Sequence, residues 1–307
     1  MCTTLRRKLH LKRRTFLEVK KLPIRQSLSQ GLHDSSLLLI REIHIKSWCF
    51  SQGTSFHHLI VSKHFISELS LNSAFVFVVS TILKGEQMLE VFNRLNVQVS
   101  CLGNHDLDFG VDKMRDLTSR TAPCKWLLSN LYVEGRPIGD IDTFMVKEVP
   151  LAGLLNQAST SIKVGFFGLA GPDWLGQMCP IVTEKLDYID YVEKGREMAN
   201  FLKSQMDCKV VIALTHMRLP DDKILASSVP EIDFILGGHD HAYITEVDPE
   251  TGVFVIKSGT DFEEFNEFDV VLDASEAEFA KVKQADSELV RHLYSPAKEI
   301  LIRVQKV

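Results

Sequence analysis

The stretch CKVVIALTHMRLPDDKILASSVPEIDFILGGHDH, from Cys208 to His241, decides the fold class of this 307-residue chain. It begins with an apolar run typical of a buried strand, continues through a short helical segment, and ends in a second apolar run. Both runs stop at polar side chains: His216 follows the first, and His239 and His241 follow the second. Strands that alternate with helices predict an α/β layered fold.

The same alternation extends over the chain from residue 74 onward. Apolar runs predict strands at residues 97–103, 125–132 and 161–171, and residues 74–83 fit either a strand or the start of a helix. Apolar residues at helical spacing predict helices at 84–96, 110–121 and 190–205. Residues 243–259 are typical of a hairpin, with a turn at Pro249 and Gly252. The last 30 or so residues predict one helix and a terminal strand.

The charge distribution is uneven, although the net charge of -5 is mild. Residues 1–25 carry nine Lys and Arg side chains and a single acid, Glu18. A basic arm of this kind can contact nucleic acid or anionic lipid, or it can be a solvated terminus. Because the rest of the chain is acidic, we expect no nucleic-acid partner.

Cysteine spacing and hydropathy exclude several other classes of protein. The six cysteines form no CxxC pair, so neither a zinc knuckle nor a disulfide framework is indicated. No apolar run reaches the roughly 18 residues that a transmembrane helix needs. The basic start leads into no readable signal peptide, so the default expectation is a cytoplasmic protein. The oligomeric state is not indicated.

Three clusters of polar residues follow three of the predicted strands, at the edge where α/β folds bind ligands. They are Asn104, His105 and Asp108 in the first cluster, His216 in the second, and His239 and His241 in the third. Imidazoles and a carboxamide oxygen suit transition-metal ions. Taken singly, each histidine fits a hydrogen-bonded loop residue, and GNHD fits a turn. Their joint placement favours a metal site.

Three motifs, GNHDLDFG at 103–110, LTHMRLP at 214–220 and LGGHDH at 236–241, resemble those of the calcineurin-like metallophosphoesterases. The resemblance is to the 5'-nucleotidase and UDP-sugar hydrolase branch, and it runs from about residue 80 to about residue 265. It implies an α/β fold in which two mixed β-sheets form a layered sandwich flanked by helices. It also implies hydrolysis of a phosphate monoester, with a nucleoside 5'-monophosphate as the expected small-molecule substrate.

The resemblance further implies a role for each residue of the motifs. Asn104, His216 and His239 would bind one divalent ion, and His241 would bind a second; Zn, Mn and Mg are the expected metals. His105 would stabilise the transition state and donate a proton. Asp108 would pair with His105, since the two lie three residues apart and the carboxylate can fix the tautomer of the ring. Asp106 is a variable position of the pattern.

Two earlier motifs of the family have no recognisable counterpart here. One is an Asp-x-His that supplies two metal ligands, and the other is a Gly-Asp that supplies the bridging carboxylate, which would fall near Asn72 or Ser73. Unsupported substitutes occur upstream at His33, Asp34, His44, His57, His58 and His64. We therefore expect impaired hydrolysis, and the alternative is a catalytically inactive remnant that binds metal or a partner.

These observations predict three segments. Residues 1–73 would be an atypical basic segment, poorly ordered or replaced, so that the fold would be incomplete at its N-terminus. Residues 74–275 would form the metallophosphoesterase catalytic domain. Residues 276–307 would be a tail of helix and strand, without the nucleotide-recognition domain of two-domain relatives. Such relatives are often secreted or held at the cell surface.

Overall fold

The computed structural model describes residues 39–40, 82–95, 97–150, 161–173, 186–259 and 265–306. Its helices are α1 Glu86–Leu95, α2 Val111–Ser119, α3 Tyr191–Ser204, α4 Leu219–Ser228 and α5 Glu276–Lys283, with short 3-10 helices at Asn104–Leu107 and Ile138–Asp140. Its strands are β1 Leu39–Ile40, β2 Val99–Cys101, β3 Lys125–Leu127, β4 Leu131–Val133, β5 Arg136–Pro137, β6 Phe144–Pro150, β7 Ser161–Ala170, β8 Leu186–Tyr188, β9 Val210–His216, β10 Phe234–Gly237, β11 Tyr243–Val247, β12 Phe254–Ser258, β13 Asn266–Val271, β14 Val290–Ser295 and β15 Ile300–Lys306.

Within the described residues, the largest sheet has six strands in the order β11-β12-β10-β9-β7-β6. Its four central strands are parallel, and the two edge strands β11 and β6 are antiparallel to their neighbours. Every residue of β9 is buried. Such a continuous apolar strand is typical of a parallel sheet that is covered on both faces.

One face of this sheet is covered by helices α3 and α4. Asp190 begins α3 as an N-cap, because its carboxylate accepts hydrogen bonds from the backbone N–H groups of Val192 and Glu193 at 2.9 and 3.1 Å. Along β9, Val211 and Ala213 point to this helix-bearing face and pack with the helices. The face is apolar because alternate residues of the strand point towards it.

The other face packs against a second, antiparallel sheet with the strand order β1-β13-β15-β14. Phe234 lies at the centre of this core: its ring stacks on Phe254 at 5.0 Å between ring centroids and on Phe268 of the second sheet at 5.8 Å. The predicted α/β layered sandwich is therefore confirmed. Its larger sheet is mixed and its second sheet is antiparallel within the described residues.

Two local predictions differ from the structure. Residues 125–132 were expected to form one strand, but β3 ends at Leu127 and β4 begins at Leu131. The break occurs where Ser129 N–H donates to Gly168 O at 2.8 Å and Asn130 donates from Nδ2 to Ala170 O at 2.9 Å. The C-terminal residues form two strands after α5, not one, and both lie in the sheet of β13. The hairpin at 243–259 is confirmed as β11 and β12.

In the described part of the chain, no helix has the length and apolar character needed to cross a membrane.

Replacing Phe234 by alanine should lower the free energy of unfolding by about 3–5 kcal/mol, because the change opens a cavity between two sheets that cannot fully collapse. Urea unfolding followed by circular dichroism measures the loss. Phe279→Ala is the control, since its half-buried ring stacks on Tyr294 at the periphery and should be worth about 1 kcal/mol. Equal losses in the two variants would contradict a central role for Phe234.

Candidate active site

Three chain segments bring Asn104, His216 and His239 together. His216 is the last residue of β9, and His239 lies two residues beyond the end of β10. Because β9 and β10 are parallel neighbours, the two histidines emerge at the same edge of the sheet. Asn104 begins the 3-10 helix that follows β2. The structure therefore joins three of the four predicted metal ligands.

Direct contacts hold these three side chains at the spacing of metal ligands. His216 Nε2 lies 2.8 Å from Asn104 Oδ1 and 3.1 Å from His239 Nδ1. Atoms that bind one ion at about 2.1 Å and at right angles stand about 3 Å apart. Asn104 and His216 are buried, whereas the side chain of His239 retains 12% of its exposure. The cluster is therefore buried, and the ring of His239 is its most exposed part.

The other ring nitrogen of His239 contacts a carboxylate that the sequence analysis did not single out. Asp173 Oδ2 lies 3.1 Å from His239 Nε2 and also accepts a hydrogen bond from Arg218 Nε at 3.1 Å. Asp173 follows the end of β7, a third parallel strand of the same sheet. Its position after a strand end was the available signal, but GPD alone resembles an ordinary turn.

The protonation of the cluster fits a cation at its centre. Burial lowers the pKa of His239, which favours a neutral ring. With its Nε2 proton donated to Asp173, the Nδ1 atom of His239 holds a lone pair. The amide oxygen of Asn104 can only accept, so a single proton on His216 Nε2 serves two acceptors. An ion in place of that proton would meet three lone pairs, and the residues therefore fit a metal.

The described residues hold no group of three or more His, Cys, Asp and Glu side chains in metal-binding arrangement. The cluster contains two histidines, and its third donor is the amide of Asn104. The carboxylate of Asp173 lies beside the cluster and contacts Nε2 of His239, the ring nitrogen that does not face His216.

His105 and Asp108 form a separate pair beside this cluster. Asp108 Oδ2 lies 3.0 Å from His105 Nδ1, and the side chain of His105 is 41% exposed. The hydrogen bond to Asp108 raises the pKa of His105, although burial opposes the rise. Asp106 has a structural role, because its buried carboxylate accepts a hydrogen bond from Gly103 N at 2.6 Å and caps the turn. This turn presents Asn104 and His105 on consecutive residues.

The backbone at the third motif is strained. His239 and His241 both have positive φ angles, 73° and 54°, which are uncommon for residues other than glycine. Such strain persists where surrounding contacts hold it, and it is concentrated at functional sites. His241 is exposed, and within the described residues it makes no hydrogen bond or ion pair with the three clustered side chains. Its role as a ligand stays a prediction.

The upstream positions considered as replacement ligands lie outside the described residues. These are His33, Asp34, His44, His57, His58, His64, Asn72 and Ser73.

The family profile described as calcineurin-like phosphoesterase matches residues 80–243, which is more than half of the 307 residues. The chain belongs to the calcineurin-like phosphoesterase family. The matched region contains every predicted site residue, from Asn104 to His241. The resemblance inferred from the three motifs is therefore confirmed.

Curated relatives of the chain include nucleotidases. The chain is 25% identical over 173 residues to a snake venom 5'-nucleotidase from Crotalus adamanteus, covering 55% of this chain and 28% of that protein. It is 28% identical over 153 residues to the uncharacterized metallophosphoesterase YunD of Bacillus subtilis, covering 42% of this chain and 33% of that protein. The chain thus spans about a third or less of these relatives.

Solved structures share the fold. The 5'-nucleotidase precursor from Thermus thermophilus aligns with a TM-score of 0.54 at 17% identity, over 75% of this chain and 42% of that one. The calcineurin-like phosphoesterase YfkN from Bacillus subtilis aligns with a TM-score of 0.51 at 21% identity, over 62% of both chains. At these identities the likeness concerns the architecture alone.

Asp173→Ala should weaken Mn²⁺ binding by about 10- to 100-fold, because the carboxylate orients the ring of His239 and keeps its Nδ1 free of a proton. Isothermal titration of the full chain with Mn²⁺ measures the change. Asp142→Ala removes an exposed carboxylate paired with Lys125 at 3.0 Å and should leave the affinity unchanged. Equal affinities in wild type and Asp173→Ala would contradict this role.

Proposed function

We propose that this phosphoesterase is a metal-dependent phosphate monoester hydrolase of the 5'-nucleotidase type, which converts a nucleoside 5'-monophosphate to a nucleoside and phosphate. The observation that carries the proposal is the convergence of Asn104, His216 and His239 from three chain segments, with His216 Nε2 within 3.1 Å of both partners. Relatives named 5'-nucleotidase support the substrate class. Phosphate esters hydrolyse very slowly without a catalyst, so positive charge and a positioned acid are both needed.

Asn104, His216 and His239 would hold one divalent ion, and His241 would bind a second, with Zn, Mn and Mg as the candidates. Bound ions of this kind supply the positive charge that phosphate oxygens require and make a water more acidic. Asp173 orients His239 through the hydrogen bond to Nε2. The guanidinium of Arg218 offsets the charge of that carboxylate.

His105 would act as the general acid. Its Nδ1 is engaged by Asp108, so Nε2 is the nitrogen from which the protonated ring can donate. The raised pKa of His105 increases the protonated fraction near neutral pH. As a water oxygen bonds to phosphorus and the phosphorus–oxygen bond to the nucleoside breaks, the departing 5'-oxygen would take this proton. The exposure of the side chain allows the ring to exchange protons with solvent afterwards.

With Mn²⁺ and AMP, we expect phosphate release below roughly 1 s⁻¹, the lower end of ordinary enzymes. The low rate follows from the lack of a recognisable bridging carboxylate in the sequence. His105→Ala should lower the remaining rate about 100-fold or more, because the general acid is lost. A phosphate-release assay over a series of enzyme concentrations measures both rates.

Asp286→Asn is the matched control, since Asp286 pairs with His292 at 2.7 Å in a third His–Asp pair, which lies outside the site. It should hydrolyse AMP at the wild-type rate, whereas Asp108→Asn should be slower. An unchanged rate of phosphate release in His105→Ala would contradict the proposed role of His105 as the general acid. Turnover in the ordinary range would contradict the impairment.

A second candidate function is metal binding without catalysis. It is favoured by one observation: the carboxylate that touches the cluster, Asp173, contacts the Nε2 of His239, while Nδ1 faces His216. A bridging carboxylate would instead lie between two ions. Metal analysis separates the candidates, because the hydrolase should carry about two ions per chain and the binding domain one.

A further inference from the structure

A lysine is buried at the end of β12, directly beside the two loops that carry the histidines. The side chain of Lys257 is 1% exposed, and in the parallel ladder Lys257 lies opposite Gly237, the last residue of β10. Lysine is rarely buried to this degree unless its ammonium group is fully engaged. The partners of this ammonium group therefore indicate what it does.

The ammonium group of Lys257 bonds to both loops at once. It donates to Met217 O at 2.9 Å in the loop after β9 and to Gly238 O at 2.5 Å in the loop after β10. Met217 directly follows His216, and Gly238 directly precedes His239. Each acceptor carbonyl is therefore adjacent to a predicted metal ligand.

Two carboxylates complete the surroundings of the ammonium group. Asp222 of α4 forms an ion pair with Lys257 at 2.8 Å and accepts a hydrogen bond from Thr215 Oγ1 at 2.6 Å. Asp240 accepts from Lys257 at 3.4 Å and also accepts from the backbone N–H of Leu219. The lysine thus connects the loop after β9, the loop after β10 and helix α4.

Gly237 leaves room for this arrangement. A Cβ at that position would lie 2.7 Å from Asp222 Oδ2 and 3.1 Å from Lys257 Cε, so a side chain would displace the ion pair. The left-handed φ of 73° at His239 needs surrounding contacts to hold it, and the bond from Lys257 to Gly238 O acts on the adjacent peptide.

We propose that Lys257 is a positioning residue, which fixes the spacing of His216 and His239 by joining the two loops through its ammonium group. In its consequence for catalysis the proposal rests on the proposed function. The environment of the two rings, however, can be followed without a substrate through their imidazole signals. The competing explanation is that Lys257 only neutralises the buried Asp222.

A double substitution separates these two explanations. Lys257→Met leaves the carboxylate of Asp222 buried without its cation, so it should be destabilised under either explanation. In Lys257→Met with Asp222→Asn the charge of the fully buried carboxylate is gone, and the Asn oxygen can still accept from Thr215. Asp240, whose side chain is 18% exposed, keeps its bond from Leu219 N–H and its ion pair with Arg218 at 3.9 Å. Stability should then largely return, while the two loop carbonyls still lack their donor.

Lys298→Met is the matched control. The side chain of Lys298 is 9% exposed and pairs with Asp233 at 3.3 Å; Asp233 also pairs with Lys203 at 2.6 Å. Asp233 directly precedes β10, so this pair lies at the opposite end of the strand from the histidines. Losing the pair of Lys298 with Asp233 should lower stability, although Lys203 remains as a partner of Asp233, and should leave the histidine site unchanged.

The experiment uses the full chain and two readouts besides the urea midpoint. Two-bond ¹H–¹⁵N spectra report the imidazoles of His216 and His239 without metal, with assignments from His216→Gln and His239→Gln. Titration with Co²⁺ alone, followed by its visible absorption, reports the affinity. We expect the double variant to shift both imidazole signals and to bind Co²⁺ at least tenfold more weakly, with Lys298→Met unchanged in both.

Wild-type imidazole signals in the double variant would overturn the proposal, whatever the chain does with Co²⁺ or AMP. The same shifts in Lys298→Met would also overturn it, because they would follow from lost stability. A wild-type chain that fails to hydrolyse AMP would count against the proposed function alone, since the imidazole spectra require neither metal nor substrate.

Discussion

The parallel pairing of β9 with β10 is the constraint on which the rest of the site depends. Ile212 lies opposite Phe234 and Thr215 opposite Gly237, so the two strands end together at one edge of the sheet. Because side chains alternate along a strand, a register shift of one residue in β9 would turn His216 to the helix-bearing face. The register therefore decides whether the histidines meet, and the aromatic core around Phe234 stabilises that register.

Around this edge several polar side chains are buried or partly buried, and they contact one another. Asn104 and His216 face each other within the interior, while Asp173 and Arg218 neutralise each other at the rim. On the opposite face Lys257 offsets the charge of a buried carboxylate. Lys257 and Asp222 are 1% and 0% exposed, so removing either partner alone would leave a buried unpaired charge at a cost of about 3–5 kcal/mol.

Much of the fold and part of the site could be predicted from the sequence, because they depend on local patterns. Apolar periodicity located the hairpin and most strands and helices, and the motifs located Asn104, His216 and His239. The division between β3 and β4 was missed, since it depends on a long-range hydrogen bond from Ser129 to Gly168. Asp173 was missed because nothing local distinguishes it from a turn residue.

By itself, the sequence determined the family, the α/β class and the side chains with metal-binding chemistry, since these follow from residue types at short spacing. Only the tertiary structure decided which of them meet: it joins His216 to Asn104 across 112 positions and places Lys257 between two loops. It also left His241 exposed, although nothing in the local sequence GGHDH distinguishes His241 from His239. The physical reason is that hydrogen bonds and ion pairs form between atoms within about 3 Å, a distance that strand pairing sets and local sequence does not.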